Sequence, residues 1–330
     1  MKEKIKGLLL CLAIAVPAWL LGRKFAVVGG PVISILLGMI VGMFLKNRAP
    51  FDAGIKFTSK KILKFAIILL GASLNITTVL TVGKFSLTVM LFTLATCFGL
   101  GYVIGKALGL DWKTSSLINA GTGICGGSAI AAIAPVIEAT DMDIAYGMSA
   151  TFLFDTIMVV VFPLLGRAMG LSDMAYGLWA GTAVNDTSSV VAAGYAFSEG
   201  AGDFATMVKL TRTLAIIPIT LVLAFVRTKR AKTDGTKVNF KKIFPMFILY
   251  FLLASVITTI CVSAGVSASV FTPLKTLSKF LIVMAMCAVG LNTNIVKLVK
   301  TGGKPLIMGF CCWVGIAGMS LLMQHVLGIW

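Results

Sequence analysis

Three polar clusters interrupt an otherwise strongly apolar chain, and their residue types define the chemistry open to it. The first is Gly121-Thr122-Gly123-Ile124-Cys125-Gly126-Gly127-Ser128. Glycine in a helix interior costs about 1 kcal/mol relative to alanine. Four glycines in so short a stretch favour a break, or a place where another backbone comes close. A break frees the amides that open the second half-helix, and their partial positive charge suits an anion. Close packing of small residues between helices is the plainer use of such a run. The density of glycine beside Thr122 and Ser128 favours the break. Gly121, Thr122, Gly123, Cys125, Gly126, Gly127 and Ser128 are therefore candidate substrate-binding residues.

The second cluster is Asn185-Asp186-Thr187-Ser188-Ser189. Consecutive polar residues inside an apolar stretch cannot all face lipid, so they line a cavity or an ion path. A carboxylate there is costly unless protonated or paired. Asp186 is the first candidate for carrying a proton or sodium ion, and Asn185, Thr187 and Ser188 are candidate substrate contacts. The alternative is a structural Asp186 paired with a base. Asp155, in Phe154-Asp155-Thr156, is a second carboxylate in an apolar stretch. It forms a relay with Asp186, or one of the two balances a base.

The third cluster, Lys209-Leu210-Thr211-Arg212, supplies that base. Residues three apart share a helix face. Lys209 can snorkel to the surface, whereas Arg212 lies deeper and needs a partner. Its planar fork suits carboxylate, sulfate or sulfonate oxygens. It either contacts an anion or balances Asp186 or Asp155. Asn75 and Asn292-Thr293-Asn294 cap helices or mark membrane exits, and His325 near the last apolar stretch reads as interfacial.

Enzyme chemistry finds no support. The chain has no GxxxxGK[ST] loop and no HExxH, and its one histidine excludes a multi-histidine metal site. No catalytic residue, metal ligand or cofactor is expected. The seven cysteines fall in apolar stretches without a CxxC pair, and the sixteen methionines read as packing.

The elements that must hold these clusters follow from composition. Of 330 residues, 58% are hydrophobic and only 12% charged, about half the ~25% of a soluble domain. Mean hydropathy is +1.00. A soluble enzyme and a disordered chain are both excluded. About eleven apolar stretches are long enough to span a bilayer, at roughly 7–22, 26–46, 62–81, 85–109, 114–138, 143–170, 174–198, 203–226, 243–265, 270–296 and 305–329. Alternating ten-residue segments of a β-barrel are absent, so an all-α integral membrane protein is expected, with residues 1–330 as one polytopic domain. The first stretch follows Lys2, Lys4 and Lys6 but lacks a small-x-small cleavage site, and is expected to be retained.

The formal charge of +17 would suggest nucleic acid in a soluble protein. Here the bases fall between apolar stretches, the densest run being a basic cytoplasmic loop at 227–242. Lys46, Arg48, Lys56, Lys60, Lys61, Lys106, Lys113 and Arg167 join it on one side. Glu138, Asp141, Asp143, Glu199 and Asp203 fall on the other, with Arg23, Lys24, Lys84 and Lys275 as the exceptions. The positive-inside rule then places the N-terminus in the cytoplasm and the C-terminus outside. Two internal matches appear. Ala120-Gly121-Thr122 recurs as Ala180-Gly181-Thr182, with Ser128 matching Ser188 at the same offset, and both segments are expected to run in one direction. Lys64-Phe65 to Leu74-Asn75 resembles Lys279-Phe280 to Leu291-Asn292 in the opposite direction, as an inverted repeat would.

At these residues the chain resembles the YeiH-type family, whose members are called sulfate exporters. The resemblance is carried by the run from Gly121 to Ala132, by Gly181-Thr-Ala-Val-Asn-Asp-Thr-Ser-Ser-Val-Val-Ala-Ala, by Lys209 to Arg212 and by Gly290-Leu-Asn-Thr293, and covers nearly the whole chain. Members often carry Val-His-Glu where this chain has Val184-Asn185-Asp186; the carboxylate is kept and the histidine is not. The resemblance implies an inverted-repeat secondary-transporter fold related to bile-acid symporters and sodium/proton antiporters, with crossed broken helices and often a homodimer. It implies a bacterial inner-membrane exporter of a small anion (sulfate, a sulfonate or an organic acid), coupled to protons or sodium. A passive anion channel and a membrane protein without transport activity are the alternatives.

Overall fold

A computed structural model describes residues 2–24, 30–45, 47–231, 246–293 and 303–330; the expected basic loop lies, beyond residue 231, outside the described residues. In chain order the helices are α1 (Lys2–Lys24), α2 (Gly30–Phe44), α3 (Ala49–Phe57), α4 (Leu63–Gly71), α5 (Ile76–Ala107), α6 (Trp112–Ala120), α7 (Gly127–Ile133) and α8 (Asp141–Ala168). They continue as α9 (Asp173–Ala183), α10 (Thr187–Phe197), α11 (Glu199–Thr213), α12 (Ile216–Ala231), α13 (Met246–Ser263), α14 (Thr272–Asn292) and α15 (Gly303–Val326). The described residues contain no strand. Among the described residues, seven helical stretches are long and apolar enough to cross a membrane. The chain is thus an all-helical membrane protein.

The helices form two compact groups. The first holds residues 1–82, 191–202 and 246–294. Its helices are tied by hydroxyls that donate to carbonyls of a neighbouring helix, which suits an interior where water cannot satisfy them. Ser34 donates to Val283 at 2.7 Å, Ser278 to Ala66 at 2.7 Å and Ser255 to Gly71 at 2.9 Å. The paired asparagines take helix-end positions. Asn75 accepts from the Thr77 amide at 2.8 Å and so caps α5, while Asn292 closes α14 and accepts from Arg48.

The second group holds the described residues within 83–190, 203–245 and 295–330, and its topology differs from the sequence expectation. The stretch 114–138 was expected to cross the bilayer. Instead it goes in and returns. Lys113, at the start of α6, donates to the Glu138 carbonyl at 2.7 Å, and Thr114 bonds Asp143 at the start of α8. Arg227 pairs with Glu138 and reaches the Val136 carbonyl at 3.4 Å. Halfway along, Ile130 of α7 lies against Gly121 and Gly147. The segments α6 and α7 are therefore two arms of a hairpin with both ends at the start of α8. The acidic turn at 138–143 belongs at the same end as Lys113 and Arg227, not opposite them.

A second hairpin enters from the far end of α8. After the short connection 169–172, α9 runs back along α8, with Trp179 stacked on Phe162 at 4.0 Å. It ends beside Thr151 and Asp155. Helix α11 runs the same way as α9: Val208 and Ala205 meet Gly181, and Lys209 and Arg212 reach Val184 further down. The chain between Val184 and Ala205 therefore returns from the end of α9 to the level of Gly181. The two matched segments at offset 60 thus enter from opposite ends. Arms of nine and seven residues in the first hairpin, and eleven in each arm of the second, are too short for a ~30 Å hydrocarbon layer. Hydropathy cannot tell two short arms from one span, so each hairpin reads as a span in the sequence.

Candidate functional site

The tips of the two hairpins meet. In the first, α6 widens into a π-helical turn at Gly121–Cys125, closed by the Gly126 amide donating to the Gly121 carbonyl at 2.9 Å. Gly126 then takes φ +67° and ψ −137°, open in practice only to glycine, and α7 begins. In the second, α9 ends in extended backbone at Val184, and α10 starts after Asp186. The contact between tips is backbone against side chain. A Cβ on Gly126 would stand 2.8 Å from Asp186 Oδ1 and 2.9 Å from its Cβ. Thr151 lies about 15 Å along α8 from its start, in a helix long and apolar enough to cross a membrane.

Half-helices that end inside a membrane leave carbonyls without partners. Lys209 and Arg212 supply them from one face of α11, and both are fully buried. The Lys209 ammonium donates to Ile124 at 2.8 Å, Val184 at 3.0 Å and Asn185, using all three of its protons. Arg212 donates to Gly123 at 2.7 Å, Thr122 at 2.9 Å and Val184 at 3.2 Å. Each base therefore bridges both tips and sits at the negative ends of α6 and α9. The snorkelling expected of Lys209 does not occur, because the nearest unsatisfied acceptors lie inward. No salt bridge among the described residues joins either base to Asp155 or Asp186.

The carboxylates occupy the opposite pole. Asp186 accepts from the Ser188 amide at 2.9 Å and from its hydroxyl, capping α10. Asp155 accepts from the Asp186 amide at 2.9 Å and from the Ser189 hydroxyl. Negative charge at this helix start is favourable, as positive charge is at the ends of α6 and α9.

Most sequence-predicted residues converge here. Gly121, Gly123, Cys125, Gly126, Asn185, Asp155, Ser188 and Arg212 are buried, and Thr122 contributes its carbonyl. Asp186 is half-buried, Gly127 partly exposed and Ser128 exposed. Ser128 donates to the Cys125 carbonyl at 2.8 Å. Thr187 opens α10 and is buried. His325 lies apart, exposed near the end of α15. One residue was missed: Thr151, which shares a face of α8 with Asp155 one turn away and accepts from Asn185 Nδ2 at 3.3 Å through its carbonyl. The i, i+4 spacing to Asp155 was the available signal.

The family profile described as conserved hypothetical protein 698 matches residues 6–309. A UPF0324 membrane protein of Streptococcus mutans is 54% identical over 336 residues, covering 99% of this chain and 98% of that protein. UPF0324 membrane proteins of Streptococcus agalactiae and Fusobacterium nucleatum are 52% and 49% identical, each over the whole of this chain and over 99% and 100% of their own lengths. With its full-length match to these proteins, the chain belongs to the YeiH-type family of UPF0324 membrane proteins.

Proposed function

We propose that this protein is a secondary transporter of the bacterial inner membrane that moves a small anion, such as sulfate, a sulfonate or an organic acid, with a proton or sodium ion. The observation that carries the reading is the meeting of two hairpin tips, entered from opposite ends, around Gly126 and Asp186. A site so placed can be opened to either side by moving one hairpin. In this reading the seven long apolar stretches, α2, and the continuous helix formed by α3, residues 58–62 and α4 cross the bilayer, nine in all, and two hairpins re-enter it, replacing the eleven crossings expected. An odd number keeps the N-terminus cytoplasmic and the C-terminus outside.

The anion sits on the accessible side of the tips, against Gly127, Ser128 and Ser188. Arg212 and Lys209 act from behind: their protons hold the tip carbonyls, and their charge favours an anion nearby. Asp186 borders the same space. An anion beside a bare carboxylate is repelled, so loading is favourable only once Asp186 is neutralised by a proton or the site holds a cation. That requirement couples the two fluxes. The test is a thermal-shift screen of purified protein with sulfate, sulfonates and carboxylates across pH, with and without sodium. Stabilisation by one anion class, lost in Ser128→Ala, is expected. A flat response to every anion contradicts the reading.

A further inference from the structure

Two buried oxygens at the tips have no hydrogen-bond partner: Asn185 Oδ1 and Thr151 Oγ1. Both residues are enclosed, Asn185 at 0% exposure and Thr151 at 0%. They belong to one locus. Asn185 turns its Nδ2 to the Thr151 carbonyl, which fixes Oδ1 as the free arm of the amide. The Thr151 hydroxyl projects against the α-carbon of Gly121, where any side chain would displace it. One turn along the same face of α8 stands Asp155, each of whose oxygens accepts a single hydrogen bond and keeps a free lone pair. Leaving two polar oxygens unmatched in so closed a place is costly.

We infer that Thr151, Asn185 and Asp155 form a sodium site, a role that rests on the transport reading and names its coupling ion. The donors are all oxygen, which suits a hard cation. The charge favours a monovalent one. In their ordinary charge states Lys209 and Arg212 balance Asp155 and Asp186, so one sodium ion leaves the tips with a single positive charge, and a divalent ion leaves two. That single charge also attracts an anion, so the ion prepares the site for its cargo. The break at Val184–Asp186 is held to α8 through these same residues, and an ion there fastens the second hairpin against α8.

The experiment compares the melting temperature of the purified full chain in sodium, potassium and N-methylglucamine chlorides, with sodium-22 binding by scintillation proximity. Wild type is expected to gain several degrees in sodium alone and to bind sodium-22. Thr151→Val, which keeps shape and the carbonyl partner of Asn185, is expected to fold and to lose both effects. Equal melting temperatures in the three salts, or sodium binding intact in Thr151→Val, overturns the site. Anion uptake driven by a proton gradient without sodium overturns it too, and leaves the transport reading standing. Sodium binding without anion uptake under any gradient does the reverse.

Discussion

Gly126 and Asp186 touch across the junction of two helical hairpins, so closely that a single Cβ on the glycine would lie 2.8 Å from the aspartate oxygen. The sequence match at offset 60 pairs these two positions. What stands as glycine in the first copy stands as a carboxylate in the second, and the two copies meet at that point from opposite ends.

Gly126→Ala is expected to force the tips apart. The positive φ and the missing space each act, and backbone strain of this kind costs about 1–3 kcal/mol. Anion-dependent stabilisation should fall while the protein still folds. Gly318→Ala is the control: it lies within α15 with nothing within 4 Å of its added methyl. There the change should be neutral or slightly stabilising in a thermal melt.

Arg212→Ala and Lys209→Met are expected to destabilise more than any loop substitution. Each strips two tip carbonyls of their side-chain donor, Gly123 and Thr122 for Arg212 and Ile124 and Asn185 for Lys209, and leaves Val184 to the other base alone. Losing one member of a buried charged constellation costs about 3–5 kcal/mol. Arg227→Gln, whose partner Glu138 is largely exposed, should cost under about 1 kcal/mol. Urea or thermal unfolding in detergent orders the three variants.

The hairpin topology makes a prediction independent of function. Ala139→Cys and Leu110→Cys should be labelled by a membrane-impermeant maleimide from one face of the membrane, and Asp173→Cys from the other. Had 114–138 crossed the bilayer, Ala139 and Leu110 would be labelled from opposite faces.

Some of this was legible in the sequence. The glycine run announced its break because glycine is poor in a helix, and Asp155, Asp186, Lys209 and Arg212 stood out because charge is costly in apolar surroundings. The turn-back at each break was not legible. Half of a hairpin has the composition of half a span, and only pairings such as Lys113 with Glu138 reveal the return. The direction of Lys209 was hidden for a related reason. Sequence gives a lysine's depth, not which carbonyls the fold leaves bare beside it.

In the proposed function the junction at Gly126 and Asp186 binds and moves an anion. Counterflow in reconstituted vesicles tests it most directly, using the anion class that stabilises the purified protein. Wild-type vesicles preloaded with unlabelled anion should transiently accumulate labelled anion above equilibrium. Asp186→Asn, nearly the same shape and still able to accept from the Ser188 amide, should fold and bind but lose the dependence of that flux on a proton or sodium gradient. Wild-type gradient dependence in Asp186→Asn, or wild-type flux that never exceeds equilibrium, would contradict the account.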